Sequence, residues 1–319
     1  LNFVRHVDTR LDDWHQTLLE NGLHARVEFD VVAPFNGSER QLYGDLATLL
    51  PARRAQLNAI VDALTLQARE RRLAACRVVA SALIDVAAMR RALPAEEFAD
   101  EVRQQAFVRA FQDDVRRHAR RAVDDLLAVF AFRPGDAELS EMPQLGGRWE
   151  DDLFNPELLK EAGKRLGLGA AIGAGLGMVA DVAMAGLSLG AATTLGATLG
   201  GAASGGWRPL WRKLENRLNG VQELTVEDPV LLVLADHLLD LARALELRGH
   251  AAVAKLRVTD EHIDESLQGV VGALATARGH PDWERADSHR GAGSSDRQSL
   301  EADVARALDR RFEPGSAPN

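Results

Sequence analysis

Residues 163–206 read GKRLGLGAAIGAGLGMVADVAMAGLSLGAATTLGATLGGAASGG, and after Arg165 Asp181 is the one ionised side chain in the stretch. A loop of this length is seldom so apolar. Gly169, Gly173 and Gly177 recur at four-residue spacing, Asp181 and Ala185 continue that stripe, and Gly186/Gly190 and Gly196/Gly200 repeat it. Residues four apart share a helix face, and small ones there let two backbones approach closely. Each glycine costs a helix interior about 1 kcal/mol relative to alanine, so this many call for close helix–helix packing in compensation. The stretch is expected to be two helices folded into a hairpin that turns near Ala185–Gly190.

Such a hairpin has two possible surroundings. Val182–Gly206 is uncharged and exceeds the roughly 20 apolar residues that span a bilayer. Lys164 and Arg165 on one side, Arg208, Arg212 and Lys213 on the other, and Trp207 and Trp211 would suit one membrane face. Against this, a carboxylate such as Asp181 at mid-membrane costs about 2.5–3.5 kcal/mol, and Gly, Ala, Ser and Thr offer little hydrophobic gain. The balance favours a buried centre in a soluble helical domain. A conditional form, folded away until a trigger releases it, is a further possibility.

The bulk properties narrow the field. A chain of 319 residues can hold two domains. Its net charge of −9 argues against nucleic acid as a partner, because phosphate binding relies on clustered Lys and Arg. The single cysteine, Cys76, excludes an internal disulfide framework and a cysteine-rich zinc site. Its setting, LAACRVV, is that of a buried structural thiol. No signal-peptide pattern opens the sequence, so a cytoplasmic location is expected, peripheral to or inserted in the inner membrane if the hairpin meets a bilayer.

Towards the N-terminus, Leu1–Val4 is apolar, Leu11–Asn21 has helical spacing with Gly22 as its stop, and His24–Val32 alternates like a strand. Ser38–Leu50 is a helix with Ser38 as its cap. Strand–helix–strand–helix is the grammar of a parallel α/β sheet. Four elements do not close such a domain, so residues 1–50 are expected to be the C-terminal remnant of one.

LNFV, the Trp-bearing helix, GLHARVEFDVVAP and QLYGDLATLLP together resemble the end of the P-loop GTPase domain in a family of bacterial proteins. Those proteins carry, after that domain, a helical region known as domain of unknown function 3482. The glycine-rich hairpin and ALELRGHAA resemble that region too. The resemblance implies GTP and magnesium as cofactors of an N-terminal part not present here, since this chain has no G-x-x-x-x-G-K-[ST] loop. Where the family reads guanine with Asn-Lys-x-Asp, this chain has Asn2, Phe3, Val4 and Arg5, and the asparagine alone fits. Ala33 falls where related GTPases place a backbone contact to the base. Asn2 and Ala33 are therefore the nucleotide-binding candidates; the alternative is that they simply end strands.

Pro51–Phe132 is expected to be helical, interrupted at Pro94, as a long antiparallel helical hairpin. Leu57, Ile60, Val61 and Leu64 mark one apolar face of its first arm, continued by Val78, Val79, Leu83 and Ile84. Phe98, Val102, Phe107, Phe111, Val115, Ala122, Leu126 and Val129 form the stripe of the second. Arginines at 69, 71, 72, 116, 117, 120 and 121 are expected to pair with nearby acids on a solvated face, and His118 to be a satisfied interior residue. No Glu-x-x-His or His-Glu-x-x-His pattern occurs, and no catalytic residue and no metal ligand is proposed for the chain itself.

Residues 133–149 form a Gly- and Pro-containing loop, and Asn155-Pro156-Glu157 starts the next helix. Asp228-Pro229 starts another, burying Val230, Leu234, Leu238 and Leu241. Residues 282–319 are expected to be a flexible linker and a short amphipathic helix through Leu300, Val304, Leu308 and Phe312. The expected architecture is mainly α: a partial α/β segment over 1–50, then an all-α domain over 51–281 with the glycine-rich hairpin at 156–219. The expected function is a regulatory or effector region coupling nucleotide state to the GTPase domain in cis and to a partner protein or membrane surface. The alternative is a membrane-associated glycine-zipper protein with no enzymatic role.

Overall fold

A computed structural model describes residues 11–22, 38–98, 100–132, 153–165, 187–189, 221–247, 265–284 and 294–310. The chain divides into two units, Leu1–Arg72 with Arg243–Glu261, and Leu73–Ala242 with His262–Asn319. The described residues are mainly helical.

In the first unit, α1 (Leu11–Glu20) ends as expected at Gly22, whose φ of 74° lies in the left-handed region open to glycine. Helix α2 spans Ser38–Leu49. A 3-10 turn, Pro51–Arg53, opens with a proline and leads into α3, Arg54–Ala88. At 35 residues, α3 is about 50 Å long. Residues 54–74 are exposed or half-buried, with Ile60 and Leu66 exposed despite their apolar character. From Ala75 to Met89 nearly every side chain is buried, with Cys76, Val79, Leu83 and Ile84 fully so.

The helical hairpin expected over 51–132 is interrupted by a strand. β1 (Arg90–Pro94) pairs antiparallel with β3 (Val221–Val226), from Arg90↔Thr225 to Pro94↔Val221. Pro94 explains the departure: a proline disfavours helical conformation in the residue before it and donates no hydrogen bond, so it suits the end of an edge strand. β3 is central in the order β1-β3-β2. Its Leu224 and Val226 are buried while Glu223 and Thr225 are half-buried, the alternation of a one-sided strand.

β2 (Leu187–Leu189) corrects the reading of the glycine-rich stretch. It lies at the expected helix turn, yet pairs antiparallel with β3 from Leu187↔Val226 to Leu189↔Leu224. Extended chain at 187–189 rules out one helix stripe running from Gly186 to Gly190. Of the rest of the expected hairpin, 156–165 are helical, and 166–186 and 190–219 lie outside the described residues.

After α4 (Ala95–Phe98), Asp100 caps α5 (Glu101–Val129) by accepting from the amides of Val102 and Arg103. Val108, Phe111, Val115, Ala119, Ala122 and Leu126 bury one side of α5 at three- and four-residue spacing. Burying each Val, Leu or Phe contributes about 1.5–3 kcal/mol. Val102, expected on this stripe, is 78% exposed, because it sits in the first turn, before the buried stretch begins. At the other end the amides of Ala131 and Phe132 close onto the carbonyls of Ala128 and Leu127, with Ala131 at φ 59°.

Helix α6 (Pro156–Arg165) starts where expected, Asn155 Oδ1 accepting from the Glu157 amide at 3.0 Å. α7 (Asp228–Leu247) buries Val230, Leu234, Leu238 and Leu241 as expected, and much of its remaining surface besides. α8 (Glu265–Leu274) is followed by two 3-10 turns, Ala277–Gly279 and Pro281–Trp283. α9 (Ser295–Asp309) packs against α8 and buries Val304, Ala305 and Leu308. Trp283, assigned to a flexible linker on composition, is buried. Among the described residues no helix is long and apolar enough to cross a membrane.

Candidate functional site

The polar architecture of the second unit is organised by two consecutive arginines on β1. Neighbouring strand residues point to opposite faces, so Arg90 and Arg91 serve different partners. Arg91 donates to Glu284 at 2.7 Å from Nη1 and 2.6 Å from Nη2, a two-pronged arginine–carboxylate pair. It also donates to Asp114 Oδ2 of α5 at 3.1 and 3.3 Å. His118, buried on α5, faces the same Glu284 carboxylate with Nε2 at 3.5 Å. Burial alone would raise the Glu284 pKa. The hydrogen bonds and charges of Arg91 and His118 outweigh it and hold the carboxyl down to about 2. Hydrogen bonding to Glu284 in turn raises the pKa of Arg91.

Arg90 lies 3.6 Å from Glu223 of β3 and donates to the carbonyl of Arg278 at 2.9 Å. Arg278 donates to Asp228, at the start of α7, and to the Val226 carbonyl. Burial raises the pKa of the adjacent Glu227, against the pull of Arg278. The segment 277–284 is thus a strap pinned at both ends, by Arg278 and by Glu284. Between them His280 stacks on Trp283, with ring centroids 4.2 Å apart.

Another arginine ties the strap to α9. Arg297, on the first turn of that helix, is 2% exposed. It donates to Asp85 Oδ1 at 2.9 Å and Ser81 Oγ at 3.1 Å on α3, and to the Trp283 carbonyl at 3.0 Å. The α5 arginines behave as their sequence context suggests: Arg116 pairs with Asp113 and Arg117 with Asp114. Arg116 also lies over the Phe154 ring at 5.2 Å.

The first unit has its own node. Arg72 of α3 pairs with Glu246 of α7 at 3.0 Å. Burial holds the Arg71 pKa below its ordinary value; Glu246 opposes that shift and Arg40 of α2 adds to it. Arg54 Nε also donates to the Ala47 carbonyl at 3.4 Å, joining the start of α3 to α2. Charged groups from α2, α3 and α7 therefore act on one another here.

Such arrangements fix one segment against another. Asn2, Ala33, Gly169, Gly173, Gly177, Asp181, Gly186, Gly190, Gly196 and Gly200 all lie outside the described residues. Sequence reasoning missed Arg91, Glu284, Arg297, Asp85 and Glu246. One signal was available: Arg297 falls in helical register with Val304 and Leu308, a charge on an apolar stripe.

Comparison with curated proteins gave no match, and comparison with solved structures gave none. The family model described as domain of unknown function DUF3482 matches residues 15–306. The match runs from within α1 to within α9, so it takes in the node, the strap and the arginine anchors. On a match this extensive, the chain belongs to the DUF3482 family.

Proposed function

We propose that this chain is the helical effector region of a GTP-binding protein, coupling nucleotide state to a partner protein or a membrane surface. GTP and magnesium would be held by a P-loop domain in cis, and the chain itself would contribute no catalytic residue. The similarity of LNFV, GLHARVEFDVVAP and QLYGDLATLLP to the end of a P-loop GTPase domain motivates the reading. On this reading α2 is the last helix of that domain.

The observation that carries the proposal is the node at α2. Arg40 of α2 acts on Arg71, whose neighbour Arg72 is bonded to Glu246, and α3 runs on from there without a break to Ala88. A shift of α2 changes the repulsion between Arg40 and Arg71. That alters the electrostatic balance around the Arg72–Glu246 pair. The net charge of −9 argues against nucleic acid as the recipient.

The test uses the full-length gene product, with hydrogen exchange followed in the GDP state and with a non-hydrolysable GTP analogue. Exchange is expected to differ between the states over 54–72 and 228–247. Failure to bind either nucleotide, or identical exchange in both, overturns the proposal. Liposome flotation in the same two states separates the recipients: flotation in one state alone points to a membrane, and flotation in neither to a protein partner.

A further inference from the structure

We propose that the strap 277–284 and helix α9 form one conformational latch, docking and undocking together with Arg297 as the residue that joins them. A single buried guanidinium touches three elements: its own helix α9, the strap through the Trp283 carbonyl, and α3 through Ser81 and Asp85. Every one of these contacts lies within the second unit, so the latch stands apart from the GTPase reading.

A buried ion pair adds little net stability over the hydrated state of its two charges, yet it is very unfavourable when half broken. Asp85 and Arg297 therefore favour two states and disfavour those between. In one, α9 is docked with Arg297 on Asp85. In the other, both groups are in water and α9 is free. Sliding or partial fraying would leave a buried charge without its counter-ion. The apolar anchor of α9 is modest, namely Val304, Ala305 and Leu308, so the undocked state is accessible without unfolding the core around Val79, Leu83 and Phe111. Because Arg297 also holds the Trp283 carbonyl, departure of α9 removes that hold, and exchange of the strap rises with it although Arg91 and Asp228 still tie Glu284 and Arg278.

Hydrogen exchange on the full chain tests this. The amides of the strap and of α9 are expected to share one opening rate, while Ala75–Met89 and Val108–Leu127 stay protected through that opening. Arg297→Gln leaves Asp85 without its cation and is expected to speed exchange of strap and helix alike, by roughly a hundredfold or more. Arg306→Gln, on the exposed side of α9, is expected to leave both rates unchanged.

The double variant Asp85→Leu with Arg297→Met keeps α9 docked through apolar contact but removes the link to Trp283. Here strap and helix are expected to exchange at separate rates. The latch is overturned if they exchange at different rates in the unaltered chain, or if α9 opens only with the core. It is overturned equally if strap and helix stay in step in the double variant.

Discussion

The two halves of α3 are one unbroken helix held in two different ways. From Arg54 to Arg72 the side chains are exposed or half-buried, and the attachments are polar: Arg54 to the Ala47 carbonyl and Arg72 to Glu246. From Ala75 to Ala88 the helix is packed, and its one buried charge, Asp85, is matched by Arg297. Continuity therefore does not require uniform burial. In the first half Ala, Leu, Gln, Arg and Glu supply intrinsic helix propensity; in the second, packing supplies most of the stability. A segment of the first kind can be displaced by changing a few charges, and one of the second kind cannot.

The largest effects should fall in the packed half. Asp85→Ala leaves the Arg297 charge buried without its carboxylate and is expected to cost about 3–5 kcal/mol. Leu83→Ala, at a fully buried position, should cost about 2–5 kcal/mol. Leu66→Ala, at a position 58% exposed, should stay within about 0.5 kcal/mol of the parent. Urea unfolding followed by tryptophan fluorescence, with buried Trp283 among the reporters, measures all three. A Leu66 variant as damaging as the Leu83 variant would dissolve the distinction between the halves.

The same contrast explains what the sequence revealed. The helices α1, α2, α6 and α7 were legible from spacing, caps and stops, all local signals: Gly22 after α1, Asn155-Pro156 before α6, Asp228-Pro229 before α7. The sheet was not. β1 and β2 are short and sit within helix-rich composition, and their partner β3 is distant in sequence, so pairing decided what propensity could not. The polar network was illegible for the same reason. Arg91 meets Glu284, and Asp85 meets Arg297, across separations that no periodicity encodes. Trp283, read as part of a linker from its polar surroundings, is buried for the same reason: contacts distant in sequence hold it.

A middle-sized effect should appear in acid, beside the packed half. Glu284 has its folded pKa lowered from the ordinary 4.5 to about 2. It therefore contributes stability that is fully present above pH 4.5 and is lost as the pH falls from there towards 2. Allowing for solvent screening, the contribution is on the order of 1–2 kcal/mol. Glu284→Gln should remove that part of the pH dependence and leave a flatter stability curve over this window. An unchanged slope would mean that the strap is not held by the Arg91 pair.

The smallest effect discriminates best between the two halves, because it concerns the kind of force and not its size. Arg72 and Glu246 are half-buried, with side-chain exposures of 23% and 18%, so salt should screen their pair substantially. Glu246→Gln is expected to cost about 0.5–1 kcal/mol at low ionic strength. It also removes the carboxylate that offsets the repulsion between Arg71 and Arg40. Both contributions should fade towards roughly 1 M salt, where the screening length is about 3 Å. The Arg297–Asp85 pair, at 2% and 13% exposure, should keep most of its worth under the same conditions. Exchange over 54–72 that quickens in the Glu246 variant at low salt, and converges with the parent at high salt, would make the first half of α3 an electrostatically tunable segment. A loss independent of salt would instead mean that this half too is held by packing, and α3 would be better described as one uniformly supported rod.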